Sequence, residues 1–192
     1  IINIARKHDL YVLSDEIYDN YHQSQYAVPR ILDEGYEKSI ITKSFSKSHA
    51  MTGYRIGYAV AEPSIIEKMS KLQALSLTNV SEPIQYVALQ ADKADIWENR
   101  EIINSRLDVL VQSAKDIGLE FIEPDGAMYL FARTKHKDFD ATKFSEKLLE
   151  HGVAIAPGEG FGDYKEFFRL TAIDRTKLEE GMTILDSVLK EL

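Results

Sequence analysis

The sequence contains no cysteine, and its 192 residues include only 5 prolines and 10 glycines. Without thiols the chain forms no disulfide, holds no cysteine-ligated metal and has no cysteine nucleophile. This composition, with 44% hydrophobic residues, excludes disordered chains, collagen-like chains and disulfide-stapled scaffolds. A chain of this length can bury a hydrophobic core as one full domain or as two small lobes.

Positive charge is also scarce, because 23 Lys and Arg residues face 31 Asp and Glu residues and leave a formal net charge of −8. This balance disfavours a nucleic acid or an anionic membrane surface as a partner. No apolar run approaches the ~20 residues of a membrane span, and the amino end lacks the charged-then-apolar layout of a signal peptide. The histidines are scattered, so no metal site is expected. The composition predicts a protein of the reducing cytoplasm.

The first half of the chain alternates between helical and strand-like patterns. Residues 1–9 have helical spacing and lead into LYVLSDE, an apolar run that ends in carboxylates, as a buried parallel strand does at the carboxyl edge of a sheet. Two further strands are predicted at SIITKSF and RIGYAVA, and Pro63 is well placed to open a helix. The pattern therefore predicts three strands whose ends gather polar residues.

The second half has a different character. Two helices are predicted between Ile84 and Ile117, and Gly118 ends the longer one. The segments LEFIEP, AMYLFAR, VAIAP and FFRLTA predict short strands, and helices over 140–151 and 174–192 each begin with an Asp able to cap free amides. We expect a small α+β lobe of antiparallel strands under two helices.

Phosphate-binding chemistry is concentrated in SFSKSHAMTGYRIGY, residues 44–58. Arg55 offers a planar fork of donors to phosphate oxygens, and short serine hydroxyls add neutral donors without crowding. If Lys47 lay near apolar walls and near Arg55, lost solvation and a like charge would favour its neutral, nucleophilic form. On spacing alone, a solvated lysine at a strand end beside serine turn residues is the stronger interpretation.

The segment LSDEIYDNY places Asp15 and Tyr18 three residues apart at the end of the first strand. Here a carboxylate can pair with a cation, and a phenol can donate a hydrogen bond to an oxyanion. An acidic residue at a strand end is more often a helix cap, so this segment alone is a weak signal. Glu16 and Asp19 are interpreted as solvated neighbours.

The order of six motifs along the chain is more informative than any one of them. SDEIY followed by SFSK and MTGYRIGY, and then by PDGAMYLF, GVAIAPGEGFG and FFRLT, resembles the pyridoxal-phosphate aminotransferases of fold type I, class I/II. The resemblance is to the subgroup that contains bacterial and archaeal aspartate and aromatic aminotransferases, and it covers essentially the whole chain. It implies an α/β fold, with part of the large cofactor-binding domain, a mostly parallel sheet with helices, over residues 1–99. Residues 100–192 would form a long linking helix and a small α+β domain.

Members of that family are longer than this chain. Their additional half carries an N-terminal arm, a glycine-rich turn over the phosphate, an aromatic residue that stacks on the pyridine ring and an Asn that binds the 3′ oxygen. None of these elements is found in the 192 residues. We therefore expect the carboxyl-terminal half of a longer enzyme, with little or no transaminase activity alone and with apolar sheet surfaces that lack their partners.

The resemblance assigns roles around the cofactor, pyridoxal 5′-phosphate. Lys47 resembles the lysine that forms a Schiff base with the cofactor aldehyde and later moves the proton of the bound substrate. Asp15 resembles the carboxylate that keeps the pyridine nitrogen protonated, and Tyr18 resembles the phenol that is hydrogen-bonded to the 3′ oxygen. Lys43 competes with Lys47 on chemistry alone, but Lys47 occupies the motif position.

Four further residues receive roles by the same resemblance. Ser44, Arg55 and Ser46 resemble the residues that hold the cofactor phosphate. Arg169, in FFRLT, resembles the arginine that binds the α-carboxylate of the substrate, a task suited to bidentate pairing. Without the family, Arg169 is one arginine in a strand and would be interpreted as a surface charge.

The expected function is transfer of an amino group between an L-amino acid, with aspartate or aromatic donors as candidates, and a 2-oxo acid such as 2-oxoglutarate. A homodimer is expected, because the active sites of such enzymes lie across the subunit interface. One alternative is a C–S or β-lyase that uses the same cofactor, since substrate contacts select which bond breaks. The other is a non-catalytic aminotransferase-like sensor domain fused to a DNA-binding module, although no basic helix-turn-helix segment is visible.

Overall fold

The computed structural model describes residues 1–22 and 28–192. The described chain divides into two compact units, Ile1–Arg100 and Glu101–Leu192. Within these ranges, no helix combines the length and the apolar composition that crossing a bilayer requires.

The described part of the first unit contains a small sheet with helices. In chain order its elements are α1 (Ile2–His8), β1 (Val12–Asp15), β2 (Ser39–Ser44), α2 (Phe45–Ser48), β3 (Gly57–Ala61), α3 (Pro63–Ser76) and α4 (Glu82–Ala91). Short 3₁₀ turns lie at Ile31–Glu34 and Thr52–Tyr54. The three predicted strands and the helix opened by Pro63 are therefore confirmed.

The sheet of the first unit has the order β1-β2-β3 and is mixed. Strands β1 and β2 are parallel, whereas β2 and β3 are antiparallel with Ser44 opposite Gly57. The prediction of a mostly parallel sheet is thus wrong for the described strands. The reason is local: residues 45–56 fold into α2 and a 3₁₀ turn and reverse the chain, without the crossover over the sheet that a parallel pair needs.

Strand β1 is covered on one face only. Val12 and Ser14 are partly buried, whereas Leu13 is 67% exposed and Asp15 is exposed. The expectation of a buried strand is therefore wrong within the described residues. Successive side chains of a strand point to opposite faces, and no described element of this unit covers the face of Leu13.

The second unit confirms the predicted α+β lobe. Helix α5 (Trp97–Asp116) contains the boundary between the two units, and the later elements are β4 (Glu120–Phe121), β5 (Tyr129–Arg133), α6 (Ala141–Glu150), β6 (Ala156–Pro157), β7 (Phe167–Thr171) and α7 (Arg175–Leu189). The strands form an antiparallel sheet of order β4-β5-β7-β6. The side chains of Asp140 and Asp174 accept hydrogen bonds from amides of the first turns of α6 and α7, so both predicted caps are present.

A single cluster of buried side chains holds the second unit together. Leu130 and Phe168 lie on the inner face of the sheet and are fully buried against residues of the helices. The largest fully buried members of the cluster are Leu107, Leu110, Leu130, Leu148, Phe168, Leu185 and Val188. Side chains at alternate positions of β5 and β7, among them Phe131 and Arg169, occupy the opposite face.

Candidate active site

Asp15 is the last residue of β1 and lies directly opposite Thr42 of β2. The Thr42 hydroxyl donates a hydrogen bond of 3.1 Å to Oδ1 of Asp15, and the Glu16 amide donates to the Thr42 carbonyl at 3.0 Å. The chain then turns, which places Tyr18 just beyond the strand end. The carboxylate is therefore exposed, while a neighbouring strand fixes its orientation.

Lys47 lies on α2, the short helix that follows β2. The hydroxyl oxygen of Ser44 accepts a hydrogen bond of 3.1 Å from the Ser46 amide and thereby caps this helix, as hydroxyls commonly do. The side chain of Lys47 is partly buried, and its Nζ lies 5.9 Å from the ring centroid of Tyr18. Among residues 1–22 and 28–192, no carboxylate lies within ion-pair distance of Lys47. The structure thus brings Lys47 and Tyr18 together.

The competing lysine, Lys43, is engaged in an ion-pair network. Its ammonium lies 3.0 Å from Oε2 of Glu16 and also donates to Oδ2 of Asp19. Partial burial acts to lower the pKa of Lys43, but the hydrogen bonds to Asp19 and Glu16 outweigh it and raise that pKa above its ordinary value. A lysine held protonated in this way is a poor nucleophile, so the structure favours Lys47 over Lys43 as the reactive amine.

The same network corrects the interpretation of Glu16 and Asp19 as solvated. Their side chains are only 11% and 9% exposed, and both contact the Lys43 ammonium. These three residues line a cavity of about 330 Å³. The residues around this cavity include Ser44 but not Lys47, Asp15 or Tyr18, so the cavity adjoins the predicted phosphate-binding residues.

The predicted phosphate-binding residues gather at one end of the first sheet. Ser44 also donates to the Ile56 carbonyl at 3.3 Å, next to Gly57, its partner in β3. Arg55 lies two residues before Gly57, is exposed, and has a left-handed backbone with φ of 52°. Its guanidinium donates to the Thr52 carbonyl at 3.1 Å, which leaves further donors facing solvent. Ser44, Ser46 and Arg55 thus all lie between the end of β2 and the start of β3.

Tyr21 is a residue of this site that the sequence did not reveal. It is 3% exposed, and its hydroxyl donates a hydrogen bond of 2.7 Å to the backbone carbonyl of Lys47. Burial raises the pKa of the Tyr21 phenol. The available signal was a second tyrosine in LSDEIYDNY, three residues after Tyr18.

Arg169 belongs to the second unit, where it lies on β7 opposite Phe131. Its guanidinium carbon is 4.4 Å from the ring centroid of Tyr129 and 5.0 Å from that of Phe161. Its Nε is buried and has no hydrogen-bond partner in the described part of the chain. An arginine held against two aromatic rings, with no ion-pair partner in residues 1–22 and 28–192, is suited to binding an external carboxylate.

Potential metal ligands do not cluster in the described ranges. No group of three or more His, Asp or Glu side chains there is close enough together to hold a metal ion.

Comparisons with known proteins identify the family. A model of the family described as Aminotransferase class I and II matches residues 1–185. The aspartate aminotransferase of Pyrococcus abyssi is 36% identical in an alignment that covers 100% of this chain and 52% of that protein. The crystal structure of an aromatic aminotransferase from Pyrococcus horikoshii has a TM-score of 0.91 and 35% identity, with 98% of this chain and 53% of that chain covered. The chain therefore belongs to the class I and II aminotransferases.

A more distant structure shares the fold. The α-aminoadipate aminotransferase of Thermus thermophilus, complexed with N-(5′-phosphopyridoxyl)-L-leucine, has a TM-score of 0.92 at 21% identity and covers 99% of this chain and 52% of that chain. At this identity the likeness concerns the fold alone. The chain spans about half the length of the curated relatives it matches.

Proposed function

We propose that this protein is a pyridoxal-phosphate-dependent aminotransferase that moves an amino group between an L-amino acid and a 2-oxo acid in the cytoplasm. The observation that carries the proposal is the position of Lys47, a partly buried amine without an ion-pair partner in the described residues, next to the Tyr18 ring and beside Ser44. We propose aspartate or an aromatic amino acid as the amino donor. Membership of the aminotransferase family and relatives named as aspartate and aromatic aminotransferases support these two candidates.

The donor set of the first unit fits the cofactor. Pyridoxal phosphate presents an aldehyde, a ring nitrogen, a phenolic oxygen and a phosphate, and when bound it supplies an electron sink for the carbanion at the substrate Cα. Lys47 offers an amine for the aldehyde, Asp15 a fixed carboxylate for the ring nitrogen, and Tyr18 a phenol for the 3′ oxygen. Ser44 and Ser46 offer hydroxyls and Arg55 offers a guanidinium for the phosphate.

Each of three residues would then have a distinct role in the reaction. Lys47 holds the cofactor and moves the proton of the substrate Cα as base and acid. Asp15, whose carboxylate is oriented by Thr42, keeps the ring nitrogen protonated through a charge-assisted hydrogen bond that contributes about 1.5 to 3 kcal/mol. Arg169, whose Nε has no hydrogen-bond partner in the described structure, binds the α-carboxylate.

We further propose that residues 1–99 correspond to part of the large cofactor-binding domain and residues 100–192 to the linking helix and small domain, in the carboxyl-terminal half of such an enzyme. The coverage of about half of each relative supports the proposal that the chain is part of such an enzyme. The 192-residue chain would then have little or no transaminase activity by itself, and the complete enzyme would be a homodimer. Turnover of an amino acid and 2-oxoglutarate by the purified chain would contradict the proposed inactivity.

The test of the cofactor site is reductive trapping. The purified chain is mixed with pyridoxal phosphate, its absorbance is recorded before and after borohydride, and the labelled peptides are mapped. A new absorbance band and a label on the Lys47 peptide are expected, lost in Lys47→Ala and kept in Lys71→Ala, because Lys71 is an exposed surface lysine paired with Glu67. A label spread over surface lysines, or no band, would contradict cofactor binding at Lys47 by this chain.

A further inference from the structure

Tyr21 connects the two segments of the candidate site. Its backbone amide donates to the Tyr18 carbonyl at 2.9 Å, and its hydroxyl donates to the Lys47 carbonyl at 2.7 Å. The side chain is 3% exposed, so this bond is shielded from water. One residue therefore joins the turn that carries Tyr18 to the backbone that carries the reactive amine.

The helix that carries Lys47 has little stability of its own. Helix α2 comprises four residues, Phe45–Ser48, and a single turn contains few internal hydrogen bonds. The other hydrogen bonds to the Lys47 carbonyl come from backbone amides of the same turn, that of Ala50 at 3.1 Å and that of His49. A shielded side-chain donor from another segment is thus a substantial part of what fixes this carbonyl.

The ionisation state of Tyr21 suits a donor. Burial raises the pKa of the phenol, so the hydroxyl keeps its proton throughout the neutral range and can donate. The contact is also specific, because a phenylalanine or leucine of similar volume would fill the space without reaching the carbonyl through a polar atom.

We propose that Tyr21 is a positioning residue, which holds the backbone of Lys47 at a fixed place relative to Tyr18 and so presents the amine to its aldehyde partner. The inference deepens the proposed function and rests on it, since the benefit is a correctly placed Lys47. The restraint of residues 45–50 by the Tyr21 hydroxyl can be measured without any cofactor.

The first experiment uses the cofactor-free chain. Tyr21→Phe keeps the ring and removes the hydroxyl, and Tyr36→Phe is the matched control, because the Tyr36 hydroxyl donates to the Leu10 carbonyl at 2.6 Å in another part of the unit. Amide hydrogen exchange of peptides covering residues 45–50 is compared with exchange in β2, the central strand of the sheet, which contains the buried residues Ser39 and Ile41. We expect exchange at 45–50 to rise about 3- to 10-fold over that in β2 for Tyr21→Phe.

The inference is overturned if the ratio of the two exchange rates is the same in Tyr21→Phe, in Tyr36→Phe and in the unaltered chain. In that case the tyrosine ring alone would hold residues 45–50 in place. The ratio compares two exchange rates in the same protein, that of residues 45–50 and that of the reference segment. A general loss of stability in Tyr21→Phe would raise both rates and leave their ratio unchanged.

The second experiment measures the amine itself. Borohydride trapping with pyridoxal phosphate is repeated over a pH series, and the label on the Lys47 peptide is quantified. We expect Tyr21→Phe to need about 3- to 10-fold more cofactor for half-maximal labelling and to shift the pH midpoint of labelling, whereas Tyr36→Phe changes neither.

The two proposals fail in different ways. If the unaltered chain is labelled at Lys47 and Tyr21→Phe behaves identically, the positioning role is wrong and the proposed function stands. If the unaltered chain is not labelled at Lys47, the proposed cofactor site is wrong, and the exchange ratio alone then decides whether Tyr21 restrains the Lys47 backbone.

Discussion

The hydroxyl of Thr42 donates a hydrogen bond of 3.1 Å to the carboxylate of Asp15, its register partner in the neighbouring parallel strand. The carboxylate is exposed, so this bond is a principal restraint on its orientation in the described structure. A carboxylate that must face a ring nitrogen gains from such a restraint, because preorganised charge costs no reorientation when the partner binds.

Removing this donor tests its importance. Thr42→Val keeps the shape and β-branching of the side chain but deletes the hydroxyl, so we expect pyridoxal-phosphate binding to weaken about 3- to 10-fold, in line with the loss of one hydrogen bond. Thr42→Ser retains the hydroxyl and serves as the control. Titration of the cofactor absorbance measures the affinities, and equal affinities in both variants would show that Thr42 does not orient Asp15.

The Lys43 network predicts a stability effect. Lys43→Met leaves the carboxylates of Glu16 and Asp19 without their cation, although both are nearly buried. We expect the free energy of unfolding to fall by about 3 kcal/mol, because an uncompensated buried charge is costly. Lys71→Met breaks an exposed pair with Glu67 and should change it by less than about 1 kcal/mol. Urea unfolding measures both, and similar losses would contradict the difference in burial.

Tyr21 also predicts how stability depends on pH. Because burial raises its pKa in the folded protein, the unfolded chain releases the phenolic proton first as the pH increases. The stabilisation by the protonated phenol is therefore complete below the ordinary tyrosine pKa of 10.0 and is lost as pH rises through the raised value. Between pH 10.0 and the raised pKa, the unaltered chain should therefore lose stability more steeply with pH than Tyr21→Phe. Parallel slopes in urea unfolding between about pH 9 and about pH 11 would contradict this sign.

Much of the fold follows from local patterns in the sequence. The apolar run before Asp15, the proline at 63 and the capping aspartates 140 and 174 each act within a few residues, and the structure confirms the elements that they predict. The mixture of parallel and antiparallel pairs in the first sheet could not be predicted from local patterns. It depends on whether residues 45–56 cross over the sheet or reverse the chain.

In the candidate site, too, residue types could be read from the local sequence, whereas contacts between distant segments could not. The residue types at 15, 18, 44, 47, 55 and 169 indicate chemistry, and their roles remain predictions. The pairing of Glu16 and Asp19 with Lys43 depends on the register of two strands, so neighbouring residues in sequence gave no sign of it. Tyr21 was missed because its partner is a backbone carbonyl, which every residue possesses and no side-chain pattern indicates.

Gly57 predicts a steric effect at the proposed phosphate-binding residues. A Cβ at this position would clash with the Lys43 carbonyl oxygen and lie 3.4 Å from the Ser44 Cα, and neither backbone atom can move away without disturbing the β2–β3 pairing. We expect Gly57→Ala to lower the free energy of unfolding by about 2 kcal/mol and to weaken phosphate-dependent cofactor binding, because Ser44 is its strand partner. Gly53→Ala is the matched control, since nothing lies within 4 Å of a Cβ there. Comparing pyridoxal phosphate with pyridoxal in both variants isolates the phosphate contribution, and an undiminished preference for the phosphate in Gly57→Ala would show that this end of the sheet does not bind it.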